Sequence, residues 1–588
     1  MFGRRSLYKA PWWSLFVVWC LCSVATAGPR PPGAAVASAH PLATEAGLLI
    51  LEAGGNAFDA AVAVSAALAV VEPYSSGLGG GGFWLLHRAR DGYQVMVDGR
   101  ERAPLAAHAD MYLDAAGQVV PRASIDGPLA AGIPGVPAAL AHIATRYGRL
   151  PLSVSLAPAI ILARDGFPVD GVYRRMAGFR LAALRADAAA AEQFLDRGEI
   201  PAEGFRLRQP ALAETLGAIA RDGARAFYSG QIADQMVAAV RAGGGIWTAR
   251  DLHQYRVVER RPVVTRYRDW RVVSAALPSS GGVLLGQMLQ MLNERPLRGL
   301  SPADRTHLLV EIMRRAYADR ARYLGDPDHV SVPLARLLSP RYAAGRARQI
   351  DLQRATPSEA LSSLSDEGRD TTHLSVLDAE GNRVAATLSI NYPFGACFVA
   401  SGTGVLLNDE MDDFSAKPGA ANAYGLVGNA ANAIAPGKRM LSSMSPTFVE
   451  GPDRLAILGT PGGSRIISMV LLGLLDAIDG RSAEQIVAAG RFHHQYLPDR
   501  VEVEPGALPP EVVDELARRG HSIRVLDDPY GNMQAIVWDI AADRLDAAAD
   551  PRGIGRAAVR RPAAVDGALN AGSADNRRLR AGRSGGSG

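Results

Sequence analysis

Asp370-Thr371-Thr372-His373-Leu374-Ser375-Val376-Leu377 leads into Glu380-Gly381-Asn382 and then Arg383-Val384-Ala385-Ala386-Thr387-Leu388-Ser389-Ile390-Asn391. Both flanking runs alternate polar and apolar residues and the middle carries turn residues, so the stretch predicts a β-hairpin. Folding it about Gly381 sets Thr371 opposite roughly Asn391, with Ser389 and Asn391, two apart, on one face. A threonine at the head of a strand thereby meets a hydroxyl and an amide from the partner strand. The text just before it is different. Ser362, Ser363, Ser365, Asp366, Glu367, Gly368, Arg369 and Asp370 form a polar run that suits an exposed linker open to cutting. Cutting after Asp370 gives Thr371 a free α-amine beside its hydroxyl. That amine, with a reference pKa of about 8, can accept the proton the hydroxyl loses as it attacks a carbonyl. The natural cutting route is attack by the Thr371 hydroxyl on the Asp370 carbonyl, giving an ester that water opens. By itself the hairpin also describes an ordinary surface strand pair; the rest of the chain separates the two readings.

Upstream, residues 41–71 read as helical: Ala43–Glu52 and Ala57–Val71 flank Gly54-Gly55-Asn56. Asp59 and Glu72 are the only charges in or beside the second helix, which predicts burial nearly all round. Gly77, Gly79 and Gly82 then match G-x-G-x-x-G. A dinucleotide loop needs a strand before it and a helix after it. Here a helix precedes and the strand-like Phe83-Trp84-Leu85-Leu86 follows, so the glycines predict a close backbone approach beneath a site. Residues 91–104 read as a strand or hairpin ending in Arg100-Glu101-Arg102. Residues 120–350 read as mainly helical, broken at Pro134–Pro137 and Pro278–Gly282. Beyond about 550 the Ala/Gly/Arg/Ser text predicts disorder.

The 588 residues, 48% apolar and 21% charged, can bury a large core. The net charge of +4 belongs to the ends. Residues 1–27 carry +3 and residues 551–588 carry +6, which leaves −5 for the middle and excludes a basic, nucleic-acid-binding body. Arg4, Arg5 and Lys9, the apolar run from Trp12 to Val24 and the small exit Ala25-Thr26-Ala27 read as a signal peptide, with a run too short for a membrane span. The expected location is therefore periplasmic or secreted. Cys20 and Cys22 leave with the signal, so Cys397 stands alone as a buried small residue with no intramolecular disulfide. His493-His494 lacks the spacing of a metal site, and neither H-E-x-x-H nor G-x-S-x-G occurs. No metal or organic cofactor is implied.

Several longer motifs carry a resemblance. Thr371–Val376, Asn408-Asp409-Glu410-Met411-Asp412-Asp413-Phe414, Leu441-Ser442-Ser443-Met444-Ser445-Pro446 and Gly459-Thr460-Pro461-Gly462-Gly463-Ser464-Arg465 resemble γ-glutamyltransferases (glutathione hydrolases). So do Gly54–Ala61, Gly79–Phe83, Arg100-Glu101-Arg102-Ala103-Pro104 and Pro278–Gly282, in the family's order over roughly residues 38–550. The resemblance implies an α+β fold, the four-layer αββα sandwich of N-terminal-nucleophile hydrolases, made as a precursor that cuts itself between Asp370 and Thr371. It divides the chain into a signal peptide (1–27), a large subunit (28–370), a small subunit (371–550) and a basic disordered tail (551–588), with the two subunits staying together as a heterodimer. Thr371 corresponds to the nucleophile, with the hydroxyl of Ser389 beside it. Gly462 and Gly463 correspond to the oxyanion hole, and their place before the apolar run Ile466–Ile478 suits that role, because a helix N-terminus favours developing negative charge. Arg100, with Ser442 and Ser443, corresponds to the clamp on the substrate α-carboxylate, where guanidinium is suited to a bidentate contact. Asn391, Glu410 and Asp413 correspond to the group holding the α-ammonium, and Tyr424, in the run 417–438, to the gate of a lid. The implied reaction passes the γ-glutamyl group of glutathione or a related amide to water, an amino acid or a peptide. One departure stands out: many members have a second threonine eighteen residues beyond the nucleophile, where this chain has Ser389, keeping the hydroxyl and losing the methyl. Two rivals follow from the same residues: an acylase of the same fold acting on glutaryl or cephalosporin-type amides, and an uncut, inactive relative that only binds.

Overall fold

Alternation along the strands decides the layering. In the computed structural model, which describes residues 29–358, 371–417, 419–428 and 430–561, Val36, Trp84, Leu86, Leu374, Val376, Val384 and Ala386 point to one side of a sheet. Their neighbours Ala35, Ala37, Leu85, Leu377 and Ala385 point to the other. The first set packs on the helices Pro41–Glu52, Ala57–Val71, Val136–Tyr147 and Leu152–Asp165. The second set meets Val273, Phe448, Leu455, Ile457, Ile536 and Trp538 of a second sheet. That sheet rests its far face on the helices Gly281–Glu294, Pro302–Tyr323 and Ile466–Ile478. Helix, sheet, sheet, helix is the four-layer αββα order expected from the resemblance. The helix Ala57–Val71, whose one charge is Asp59, is buried along its whole length, as its scarcity of charge predicts.

The first sheet has seven strands in the order Arg556–Arg560, Ala34–Ser38, Thr372–Leu377, Arg383–Ser389, Gly81–Arg88, Tyr93–Asp98 and Val258–Arg260, antiparallel throughout. The second has six, in the order Arg544–Ala549, Gln534–Asp539, Arg454–Gly459, Thr447–Glu450, Trp270–Ser274 and Val263–Tyr267. Thr371 stands at the head of the third strand, near the middle of the first sheet. Among the described residues no helix is long and apolar enough to cross a membrane.

Three expectations change. The hairpin register is offset by two residues: Leu388 pairs with Thr372, which brings Thr371 level with Ser389 instead of Asn391. The cause is the turn. Asp378 N–H donates to Asn382 O at 3.0 Å, and its carboxylate accepts the amides of Glu380 and Asn382, so the loop is the three residues 379–381, centred on Glu380. A shift of two preserves the face, so Ser389 stays on the side of Thr371. Second, the mainly helical stretch 120–350 contains three strands between Val258 and Ser274, which belong to both sheets. Third, the boundary at 550 falls short. Arg556–Arg560 forms an edge strand along Ala34–Ser38, because small alternating residues fit a sheet edge as well as a loose tail. The signal segment, Asp370 with most of the linker, and the tail beyond 561 lie outside the described residues.

Candidate active site

Thr371 is 7% exposed, and its Oγ1 accepts the Gly462 N–H at 3.0 Å. Gly462 and Gly463 follow the strand Arg454–Gly459 and lead through the 3-10 turn Gly463–Arg465 into the helix Ile466–Ile478. Both take positive φ, +136° and +54°. The left-handed backbone favours glycine at Gly463, and a side chain there would lie 2.3 Å from the ring of Tyr424 and displace it. The arrangement presents the Gly462 amide, just ahead of a helix start, to the Thr371 oxygen.

A cavity of about 20 Å³ adjoins Thr371. Arg100, Ser389, Asn391, Glu410, Asp413, Tyr424, Ser442, Ser443 and Gly463 all line it, and Gly462 reaches Thr371 through its amide. Every expected binding residue is thus brought to one place. Arg100, 1% exposed, follows the strand Tyr93–Asp98. Its backbone N–H donates to Asp98 Oδ1 at 2.9 Å and its carbonyl accepts Tyr255 OH at 2.8 Å. Its guanidinium reaches Glu410 and Asp413, both at 2.5 Å, and Glu101 at 3.4 Å. The anchor expected for a carboxylate therefore pairs with the anchors expected for an ammonium. Glu410 and Asp413 bound one 3-10 turn, Glu410–Asp413, which Asn408 pins by bonding Gly79 O at 2.6 Å and Gly132 O at 2.8 Å. The glycine run passes beneath the site as predicted: a Cβ on Gly80 would lie 2.2 Å from Ser389 O.

Ser389 takes a different partner from the one expected. Its oxygen accepts the Asn391 N–H at 2.8 Å. The Thr371 oxygen has the Gly462 amide instead. Asn391, at φ +75°, turns its side-chain amide to Asp409 O at 3.1 Å, while its carbonyl accepts Tyr424 OH at 2.6 Å. Tyr424 is held further by Asn422, which accepts the Tyr424 N–H at 3.0 Å and donates to Asp413 Oδ1 at 3.0 Å. Ser442 and Ser443 are braced by the segment Pro278–Gly282: Ser442 N–H donates to Pro278 O at 2.8 Å and Ser280 Oγ donates to Ser442 O at 2.7 Å.

Two buried groups escaped the sequence reading. Arg320, on the helix Pro302–Tyr323, donates to Ser280 Oγ at 3.0 Å and to Ser443 Oγ at 3.4 Å, and forms no ion pair among the described residues. Burial pulls its charged form down and the field of Asp413 holds it up. Nothing in its run of mixed charges, from Glu311 onward, marks Arg320 from its neighbours. Glu101 was quoted only as part of a motif; burial, then the nearby Glu410, pushes its carboxyl well above the carboxylate range. Burial also pushes Glu410 up to about 7, against the pull of Arg100. Behind Thr371, Thr372 Oγ1 donates to Glu72 at 2.7 Å, and His373, held neutral by burial at about 3, bonds Thr387 Oγ1 at 2.9 Å. His493 bonds Ser468 at 2.7 Å and Gln495 at 2.9 Å, a structural role. Cys397 is buried, and burial pushes its thiol up to about 12.

A sandwich of this layering, with a buried threonine heading a central strand, has the architecture of the N-terminal-nucleophile hydrolases. The solved structure of a cephalosporin acylase from Bacillus halodurans superposes with a TM-score of 0.80 at 30% identity, covering 95% of this chain and 99% of that one. The profile of the Gamma-glutamyltranspeptidase family matches residues 43–560. A glutathione hydrolase proenzyme of Pseudomonas sp. strain A14 is 44% identical over 505 residues, 84% of this chain and 87% of the relative. Its counterpart in Escherichia coli K12 is 42% identical over 529 residues, 88% of this chain and 90% of the relative. The chain belongs to the γ-glutamyltranspeptidase family.

Proposed function

We propose that this protein is a γ-glutamyltransferase with glutathione hydrolase activity, made as an exported precursor that cuts itself before Thr371. The observation that supports it most is the two-signed clamp. Arg100 faces Glu410 and Asp413 in the cavity that adjoins Thr371, and a γ-linked glutamyl group carries one carboxylate and one ammonium to match them. On entry the substrate carboxylate replaces an acid at Arg100, and its ammonium takes the released acid. Tyr424 and its loop move aside to admit it, since the cavity they cover has room for about one water. The Thr371 hydroxyl attacks the γ-carbonyl as its α-amine takes the proton, and the amides of Gly462 and Gly463 receive the developing oxyanion. The protonated amine passes its proton to the leaving nitrogen, and a γ-glutamyl ester of Thr371 remains. Water resolves it to glutamate, and an amine acceptor resolves it to a new γ-glutamyl product.

The acylase reading has one finding in its favour, the 0.80 superposition on a cephalosporin acylase. An acyl chain without an α-amine has no use for Glu410 and Asp413, so the clamp favours the glutamyl reading. The two are separated by release of a chromogenic amine from a γ-glutamyl and a glutaryl donor. Turnover of the first over the second, abolished in Thr371→Ala together with appearance of a fragment beginning at Thr371, is the expected result. A single uncut band in denaturing electrophoresis of active wild-type protein would overturn the self-cleavage, and Asp413→Ala with full γ-glutamyl turnover would overturn the substrate.

A further inference from the structure

The clamp is built on two segments that are separate along the chain. The 3-10 turn Glu410–Asp413 carries the acids. The run from Met440 to Ser443 carries the serines, and its Met440 O accepts Arg100 Nε at 3.3 Å. Asn432, 5% exposed, ties one segment to the other. Its Nδ2 donates to Asp413 O at 2.7 Å, and its Oδ1 accepts the Leu441 N–H at 3.0 Å. A carbonyl only accepts and a backbone N–H only donates, so the side-chain amide fits in this orientation alone. Asn432 does not line the cavity at Thr371, so its reach to a substrate runs through the two segments it joins.

Asn432 is itself fixed from both sides. Lys438 Nζ donates to Ala431 O and to Ala433 O, each at 2.8 Å. Ala431 O packs so closely on Gly325 that a Cβ there would lie 2.2 Å from it. The Ser415 N–H donates to Asn432 O at 2.9 Å, which closes the base of the loop that carries Tyr424. Within that loop, Asn422 donates to the Asp413 carboxylate at 3.0 Å. Asp413 is thus held twice, once by the loop and once by its base.

We propose that Asn432 is a positioning residue for the donor: its side-chain amide fixes the spacing between the acids and the arginine–serine pocket, and so selects donors that carry an ammonium and a carboxylate on one carbon. The proposal rests on the glutamyl reading of the clamp and deepens it. A donor held at one end reaches the second anchor within the same complex, and gains from it only while the two anchors match the spacing of its own charges. A donor with one charged end, such as a glutaryl amide, tolerates a shift of the other anchor. When the Tyr424 loop moves aside to admit the donor, Asp413 loses Asn422. Asn432, at the base of the loop, keeps the spacing.

The test compares kcat and KM for a γ-glutamyl and a glutaryl anilide. In Asn432→Ala the preference for the γ-glutamyl donor should fall about tenfold, through a rise in its KM, the scale of coupling between neighbouring groups. A smaller folded fraction alone lowers kcat for both donors equally and leaves their KM values and their ratio unchanged. Asn432→Asp supplies the second arm. A neutral carboxyl donates through its hydroxyl and accepts through its carbonyl, the pattern of the native amide, whereas a carboxylate cannot donate to Asp413 O. A buried carboxyl titrates above its ordinary value of about 4, so Asn432→Asp should keep nearly the wild-type preference at about pH 5 and lose about tenfold at about pH 8. Each value is taken relative to wild type at the same pH, where Arg100, Asp326, Glu410, Asp413, Lys438 and Arg439, the charged groups on the segments packed around the position, are common to both proteins. An undiminished preference in Asn432→Ala, or a relative preference in Asn432→Asp that does not change with pH, would overturn the proposal. If Asn432→Ala yields no active protein, the aspartate variant decides by itself. A wild-type protein with no preference between the two donors would overturn the glutamyl reading instead.

Discussion

Arg100 faces three carboxyls, and that imbalance shapes the chemistry of the clamp. One buried cation cannot hold three anions, so protons remain on the acids: burial keeps Glu101 well above the carboxylate range and sets Glu410 at about 7. Below that value Glu410 is neutral and holds an ammonium weakly; above it, Glu410 is a carboxylate and holds it well. Competitive inhibition by glutamate should therefore tighten by about tenfold as pH rises through 7, and Glu410→Gln should flatten the dependence. A pH-independent inhibition constant in the wild type would contradict this assignment. Arg320 supplies the second cation, bonded to Ser280 and Ser443. Arg320→Met should raise the KM for a γ-glutamyl donor by about tenfold with a smaller change in kcat, as expected for loss of a charge-assisted hydrogen bond. Arg320→Lys should recover part of the loss, and an unchanged donor KM in the methionine variant would show that Arg320 only fills space.

Glycine-bearing segments carry the site at the scale of elements, and they differ in what a methyl group would strike. At Gly80 the obstacle is backbone, Ser389 O at 2.2 Å, in the close pairing of Gly81–Arg88 with Arg383–Ser389. At Gly463 the obstacle is the ring of Tyr424, which can move. Gly80→Ala should cost about 3 kcal/mol of stability, read by chemical denaturation. Gly463→Ala should cost about 1 kcal/mol for the left-handed backbone, yet lose about a hundredfold in kcat as Tyr424 and the Gly463 amide, in the proposed oxyanion hole, lose their register. Equal stability losses in the two variants would contradict this distinction.

Across the whole molecule, the two segments on either side of residue 370 are interleaved. In the first sheet Ala34–Ser38 from the upstream part lies between Arg556–Arg560 and Thr372–Leu377 from the downstream part. In the second sheet Trp270–Ser274 pairs with Thr447–Glu450. Cutting the chain before Thr371 removes none of these ladders. The cut protein should run as one species in gel filtration, with two fragments appearing only under denaturing conditions. Separation of the fragments in plain buffer would contradict the interleaving.

Much of this was legible in particular residues. The period-two runs flanking Glu380 predicted the hairpin, the scarcity of charge in Ala57–Val71, Asp59 alone, predicted a buried helix, and the order of strand and helix around Gly77–Gly82 excluded a nucleotide loop. These are local readings, because periodicity and turn chemistry act over a few residues. The motifs added the expected clamp residues one by one, and they line one cavity. What the sequence did not determine is set by contacts between distant residues. The two-residue register offset depends on the Asp378 side chain closing its turn. The strand Arg556–Arg560 exists because Ala34–Ser38 offers it an edge. Arg320 gains its place only when its helix packs against Ser280 and Ser443. A second cavity lined by Thr371 is made by segments near residues 72, 172, 461 and 528, whose nearness no local pattern records, because burial and hydrogen bonding are satisfied across the fold and not along the chain.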